Sequence, residues 1–101
     1  MKLLTEELRA QLPPLYAQEK EKDPMVHAKF FCPWSNWTWY VTEGRQEEDD
    51  FIFFGLVIGL EREWGYFALR ELESVRGPGG LRIERDLHFR PKRKSEIPEI
   101  P

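Results

Sequence analysis

"DDFIFFGLVIGLEREWGYFAL", residues 49–69, decides how this chain is read. The ten residues 51–60 carry no charge, Glu61-Arg62-Glu63 interrupts, and the chain then turns apolar again from Trp64 to Leu69. The run is far short of the roughly 20 apolar residues that a membrane-spanning helix needs. Gly55 and Gly59, together with the enrichment in Phe, Ile and Val, argue against a helix of any kind. Both alternating faces of 51–60 are apolar, which is the pattern of a strand covered on two sides. The stretch therefore predicts the middle strand of an antiparallel sheet, followed by a further strand over 64–67.

Working outward, "VHAKFF" (26–31) alternates, with Val26, Ala28 and Phe30 on one face. "CPWSN" reads as a turn, and "WTWYVT" (37–42) alternates again, grouping Trp37, Trp39 and Val41; the two segments predict a hairpin. "EGRQEEDD" (43–50) is a polar loop. At the N-terminus Leu4, Leu8 and Leu12 recur every four residues behind a capping Thr5, so a helix begins there. Pro13-Pro14 breaks it, because a residue before proline avoids helical angles, and a second helical piece is expected over 15–22. Downstream, Leu69, Leu72 and Val75 give helical spacing over 68–75, ended by Gly77-Pro78-Gly79-Gly80. "LRIERDLHF" (81–89) alternates, placing Leu81, Ile83, Leu87 and Phe89 inward and Arg82, Glu84, Asp86 and His88 outward.

These elements define an α+β fold: a small antiparallel sheet of about five strands, with N-terminal helices packed on one face and a short helix before the last strand. The second apolar face of the middle strand needs its own cover, from the 68–75 helix or from a partner chain. Residues 1–91 read as a single domain, and 92–101, with its prolines, lysines and arginine, reads as a flexible tail. A chain of 101 residues is long enough for one core, and aromatics at 14% allow that core to be dense. The net charge of −3 excludes a molecule that binds nucleic acid through its overall charge. The single Cys32 excludes an internal disulfide framework. No secretory pattern opens the sequence, so a soluble, cytoplasmic protein without a membrane partner is expected.

The succession "LP" at 12–13 with Tyr16 after it, "KFFCP", "WTWYVTEG", "DDFIFFGLV", "EWGYFALREL" and "GLRIERDLHF" resembles a bacterial family catalogued as domain of unknown function 2958. The pieces run from Leu3 to about Pro91. The resemblance implies an accessory protein carried by plasmids, integrative elements and phages. It implies no catalytic residues and no cofactor.

Several residue groups invite a chemical reading. Glu84, Asp86 and His88 share one strand face by period two and could hold a divalent cation or work as an acid–base set, with Glu43 or Glu63 joining them. The plainer reading is the solvent face of an amphipathic strand. His27 and Cys32 could join His88 around zinc, but the spacing is not of a zinc type and no metal is expected. Trp34, in the turn after Pro33, is a candidate exposed anchor. Glu47, Glu48, Asp49 and Asp50 form a dense acidic loop, either aimed at a basic partner or simply solvated. Arg90, Lys92, Arg93 and Lys94 are the one basic cluster and could touch phosphates weakly.

Three functional classes follow: an interaction protein that occludes or bridges a protein partner, a nucleic-acid-binding accessory protein, and a small enzyme built on Glu84, Asp86 and His88. The apolar excess of the central strand favours the first, with homodimerisation as a further way of covering that strand. A small domain dense with aromatics leaves little room for an enzyme pocket, which disfavours the third.

Overall fold

The computed structural model describes residues 2–100. It has the α+β architecture with a five-stranded antiparallel sheet. The strands are β2 (Ala28–Phe31), β3 (Thr38–Glu47), β4 (Asp50–Ile58), β5 (Arg62–Ala68) and β6 (Glu84–Arg85), in the spatial order β5-β4-β3-β2-β6. The middle strand is thus β3. The apolar stretch that becomes β4 lies one place out, paired with β3 on one side and β5 on the other.

The first face of the sheet carries the larger core. Ala28, Phe30, Val41, Phe53 and Phe67 are buried there beneath Leu8 of helix α1 (Glu6–Gln11) and Leu72 of helix α2 (Leu69–Ser74). Phe53 is the hub, with the Phe30 ring edge-on at 5.3 Å and the Phe67 ring stacked at 5.5 Å. Thr5 caps α1 by accepting the Leu8 N–H at 3.1 Å. Gly55, on this same face, passes so close to β3 that an added Cβ would overlap the Tyr40 carbonyl.

The second face is covered at Tyr40 and Leu56 by a segment expected to be a tail. β1 (Met25–Val26) and β7 (Lys92–Arg93) form a two-stranded antiparallel ribbon. Beyond it Ile97 and Ile100 are buried with Val26, Tyr40 and Leu56. The Asp23 carboxylate anchors this arrangement by accepting the Ser95 N–H at 2.9 Å and its hydroxyl at 2.7 Å. The fold therefore continues past the expected boundary at residue 91, and α2, the expected cover, lies on the opposite face.

Three other expectations are corrected. No helix forms over 15–22: residues 15–20 are turns, and Tyr16 takes a left-handed backbone (φ 75°) that a helix does not admit. Val26 does not share a face with Ala28 and Phe30: the chain crosses between the two sheets at His27, whose N–H donates to the Val41 carbonyl at 2.8 Å. Residues 81–89 supply only the two-residue β6, and Leu81 and Leu87 are exposed. Past Arg85 the chain turns away, with the Asp86 carboxylate accepting the His88 N–H at 2.9 Å.

Candidate aromatic cleft

Two rows of side chains cross the second face. Tyr40, Leu56 and Trp64 are direct neighbours across β3, β4 and β5, and so are Glu43, Phe54 and Tyr66. A register shift between Val41 and Glu43 creates the second row. Regular alternation would have placed Glu43 with Val41 in the first core. The extra residue, Thr42, turns Glu43 to the other side, which is what a β-bulge does. The Thr42 hydroxyl donates to the Phe54 carbonyl at 3.1 Å and fixes the irregularity.

Glu43 is buried, and its two carboxylate oxygens accept the N–H groups of Tyr16 and Gln18, each at 2.7 Å. Gln18 extends the clamp: its amide nitrogen donates to the Met25 and Thr42 carbonyls, both at 3.0 Å, and its oxygen accepts the Met25 N–H at 2.7 Å. These bonds hold the 16–24 loop over the edge of the sheet. Between loop and sheet is a cleft of about 370 Å³, floored by Phe54, Trp64 and Tyr66 and walled by Tyr16, Glu19 and Lys22.

The floor is wet on one side. Tyr16, Trp64 and Tyr66 are 54, 42 and 56% exposed. The Phe54 ring stacks with Trp64 at 6.0 Å and meets Tyr66 at 5.0 Å and 59°. The Tyr66 phenol is raised above its usual value of 10, first by local desolvation, then by its hydrogen bond with Tyr16, with the negative charges of Glu43 and Glu19 adding to the effect. The cleft thus offers exposed aromatic rings lined by three carboxylates, Glu19, Glu21 and Glu43, and two ammonium groups, Lys22 and Lys94.

The residues singled out from the sequence are placed elsewhere. Glu84, Asp86 and His88 do not form one face, since β6 ends at Arg85. Asp86 lines a separate cavity of about 170 Å³ with His27 and Arg85, which Glu84 and His88 do not reach. Among the described residues no group of three or more His, Cys, Asp or Glu side chains is placed to hold a metal ion. Cys32 is buried in the first core. Trp34 is half-buried against that core and lies over Gly77, rather than standing out as an anchor.

The acidic loop is the β3–β4 hairpin turn, and much of its charge is already engaged. Arg45 pairs with Glu47 at 2.7 Å and Arg70 with Asp49 at 2.8 Å. Asp50 accepts the Phe51 N–H at 2.7 Å and the N–H of Arg70, in the first turn of α2, at 3.1 Å. Of the basic cluster, Lys92 and Arg93 form β7, and the Arg93 guanidinium donates to the Asp23 carbonyl at 3.1 Å. The Lys94 N–H donates to the Pro24 carbonyl at 2.9 Å, and its side chain lines the aromatic cleft.

The aromatic cleft was not anticipated as a site. Trp64 and Tyr66 carried a signal, two bulky rings on one face of a strand beside Gly65, but the loop that walls them depends on the bulge at Thr42.

Fold and site together define a small α+β domain that presents aromatic side chains from the face of an antiparallel sheet. The chain belongs to the family described as protein of unknown function DUF2958, whose model matches residues 3–97. No curated protein and no solved structure matches it.

Proposed function

We propose that the chain is a small cytoplasmic accessory protein of a mobile genetic element that acts by binding a protein partner, inhibiting or modulating a host DNA-processing or defence system. Its docking surface is the aromatic cleft. The observation that carries this reading is the contiguous exposure of Tyr16, Trp64 and Tyr66 on one face. Exposed Trp and Tyr clustered in a recess are the side chains that most often dominate the energy of an interface. The resemblance of the sequence to its family supports the mobile-element setting.

The test is the double variant Trp64→Ala, Tyr66→Ala assayed in the native host. It is expected to lose activity and partner capture while melting like the parent, because both residues are exposed. Full activity in that folded variant, with loss in Glu47→Lys, Asp49→Lys instead, would move the docking surface to the acidic hairpin turn.

A second reading, single-stranded nucleic acid, is favoured by Lys22 and Lys94 beside the rings, since bases stack on aromatics while lysines meet phosphates. Binding of that kind weakens steeply as salt rises, so an oligonucleotide titration across a salt series separates the two readings.

A further inference from the structure

We propose that the aromatic cleft is an arginine-recognition site, taking the guanidinium of an arginine in the partner against the Trp64 and Tyr66 rings with Glu19 as its counter-charge. The inference rests on the reading of this cleft as the docking surface and names the chemistry that it selects.

Four observations converge on a cation. Trp64 and Tyr66 are 42 and 56% exposed in the floor, and aromatic rings attract cations through the negative potential above their faces. The lining holds three carboxylates, Glu19, Glu21 and Glu43, against two ammonium groups, Lys22 and Lys94. Glu43 and Glu19 bring negative charge to Tyr66, and the Arg45 guanidinium, which also reaches Tyr16 and Tyr66, is itself paired with Glu47 at 2.7 Å. The same contact recurs among the described residues, with Arg9 over Phe51 at 5.0 Å, Lys29 over Tyr40 at 5.7 Å and Lys92 over Phe89 at 5.1 Å.

Arginine fits better than lysine. A guanidinium is planar, weakly hydrated and stacks on aromatic faces, whereas an ammonium is a compact and strongly hydrated charge. The fork geometry of a guanidinium also lets it lie on a ring while donating sideways to a carboxylate. Both Glu43 oxygens already accept backbone N–H groups, so of the two carboxylates that act at Tyr66 Glu19 is the one assigned to the ligand.

The experiment uses the full chain and three probes: the blocked tripeptide Gly-Arg-Gly, the same peptide with uncharged citrulline in place of arginine, and adenosine monophosphate. Binding is followed by calorimetry and by the indole N–H resonance of Trp64, assigned by its loss in Trp64→Ala. The arginine peptide is expected to bind weakly but saturably and to shift that resonance, with the citrulline peptide about tenfold weaker. Trp64→Ala should abolish binding, Trp64→Phe should keep part of it, and Glu19→Gln should weaken it several-fold, with circular dichroism unchanged throughout. Equal binding of the arginine and citrulline peptides, or saturation by adenosine monophosphate but not by the arginine peptide, overturns the proposal. Suppose the arginine peptide fails to bind while Trp64→Ala, Tyr66→Ala still loses partner capture in the host. The docking surface then stands and its cationic occupant is wrong. If that variant keeps both capture and activity, both readings fall.

Discussion

Glu43 holds the backbone of Tyr16 from 27 residues away, its carboxylate accepting the Tyr16 N–H at 2.7 Å. The bond fixes a left-handed residue and with it the wall of the cleft. A second bond, to the Gln18 N–H, makes the carboxylate a two-point clamp. Hydrogen bonds to a charged group contribute about 1.5–3 kcal/mol each. Glu43→Ala is expected to destabilise the domain by about 2–4 kcal/mol and to speed proteolysis within 16–24 more than elsewhere. Glu43→Gln keeps an acceptor and should fall between the two. Chemical denaturation and limited proteolysis measure both effects, and equal cleavage rates in the parent and Glu43→Ala would show that the clamp does not hold the loop.

The two neighbouring phenylalanines on β4 separate stability from binding. Phe53 is fully buried at the centre of the first core, so Phe53→Ala should cost about 3–5 kcal/mol and leave little folded protein. Phe54, on the other face, is only partly buried beneath the cleft. Phe54→Leu should leave the melting temperature within a few degrees of the parent and weaken binding at the cleft. Equal destabilisation by Phe53→Leu and Phe54→Leu would mean that the second face is as closed as the first.

The apolar run at 51–60 declared a middle strand with two covered faces; the structure has an internal strand one place out, with its second face buried at Leu56 and only partly covered at Phe54. What it could not declare was the cover. Ile97 and Ile100, which cover the second face at Tyr40 and Leu56, sit among prolines and charges with no period, so their burial is set by tertiary contact alone. Glu43 was hidden for a related reason: a single bulged residue inverts the inward and outward positions, and alternation carries no mark of where the inversion occurs. The row Glu84, Asp86, His88 fails in the opposite way. Its alternation is real in the sequence, but the strand that would express it is two residues long, and Asp86 closes a turn instead.

Ile97 tests the role of that last segment. A buried isoleucine truncated to alanine costs about 2–5 kcal/mol, whereas the same change in a loose tail costs nothing. Ile97→Ala is therefore expected to lower the denaturation midpoint clearly, and an unchanged midpoint would remove residues 92–100 from the cooperative fold.

His27 gives the domain an acid sensitivity. Burial lowers its imidazole below the usual 6.5, because the charged form is poorly solvated there. The unfolded chain then binds the proton more readily than the folded one. Its contribution to stability is intact above 6.5 and is lost as pH falls from that value towards the depressed folded-state value. The melting temperature of the parent should drop over that interval more steeply than that of His27→Gln. Parallel curves for the two would assign the acid sensitivity to other groups.

The ribbon of β1 and β7 also sets an order of events. β3, β4 and β5 succeed one another along the chain through short turns, while Met25 must find Arg93 across most of the sequence. Closing a long loop costs entropy before its contacts repay it, so the meander is the early structure and the ribbon the late one. The hypothesis extends to the folded molecule: the ribbon is the unit that opens first, baring Tyr40 and Leu56 while the meander stays intact. Amide exchange should then be faster at Val26 than at Val41, and identical protection at the two would mean that both faces open together.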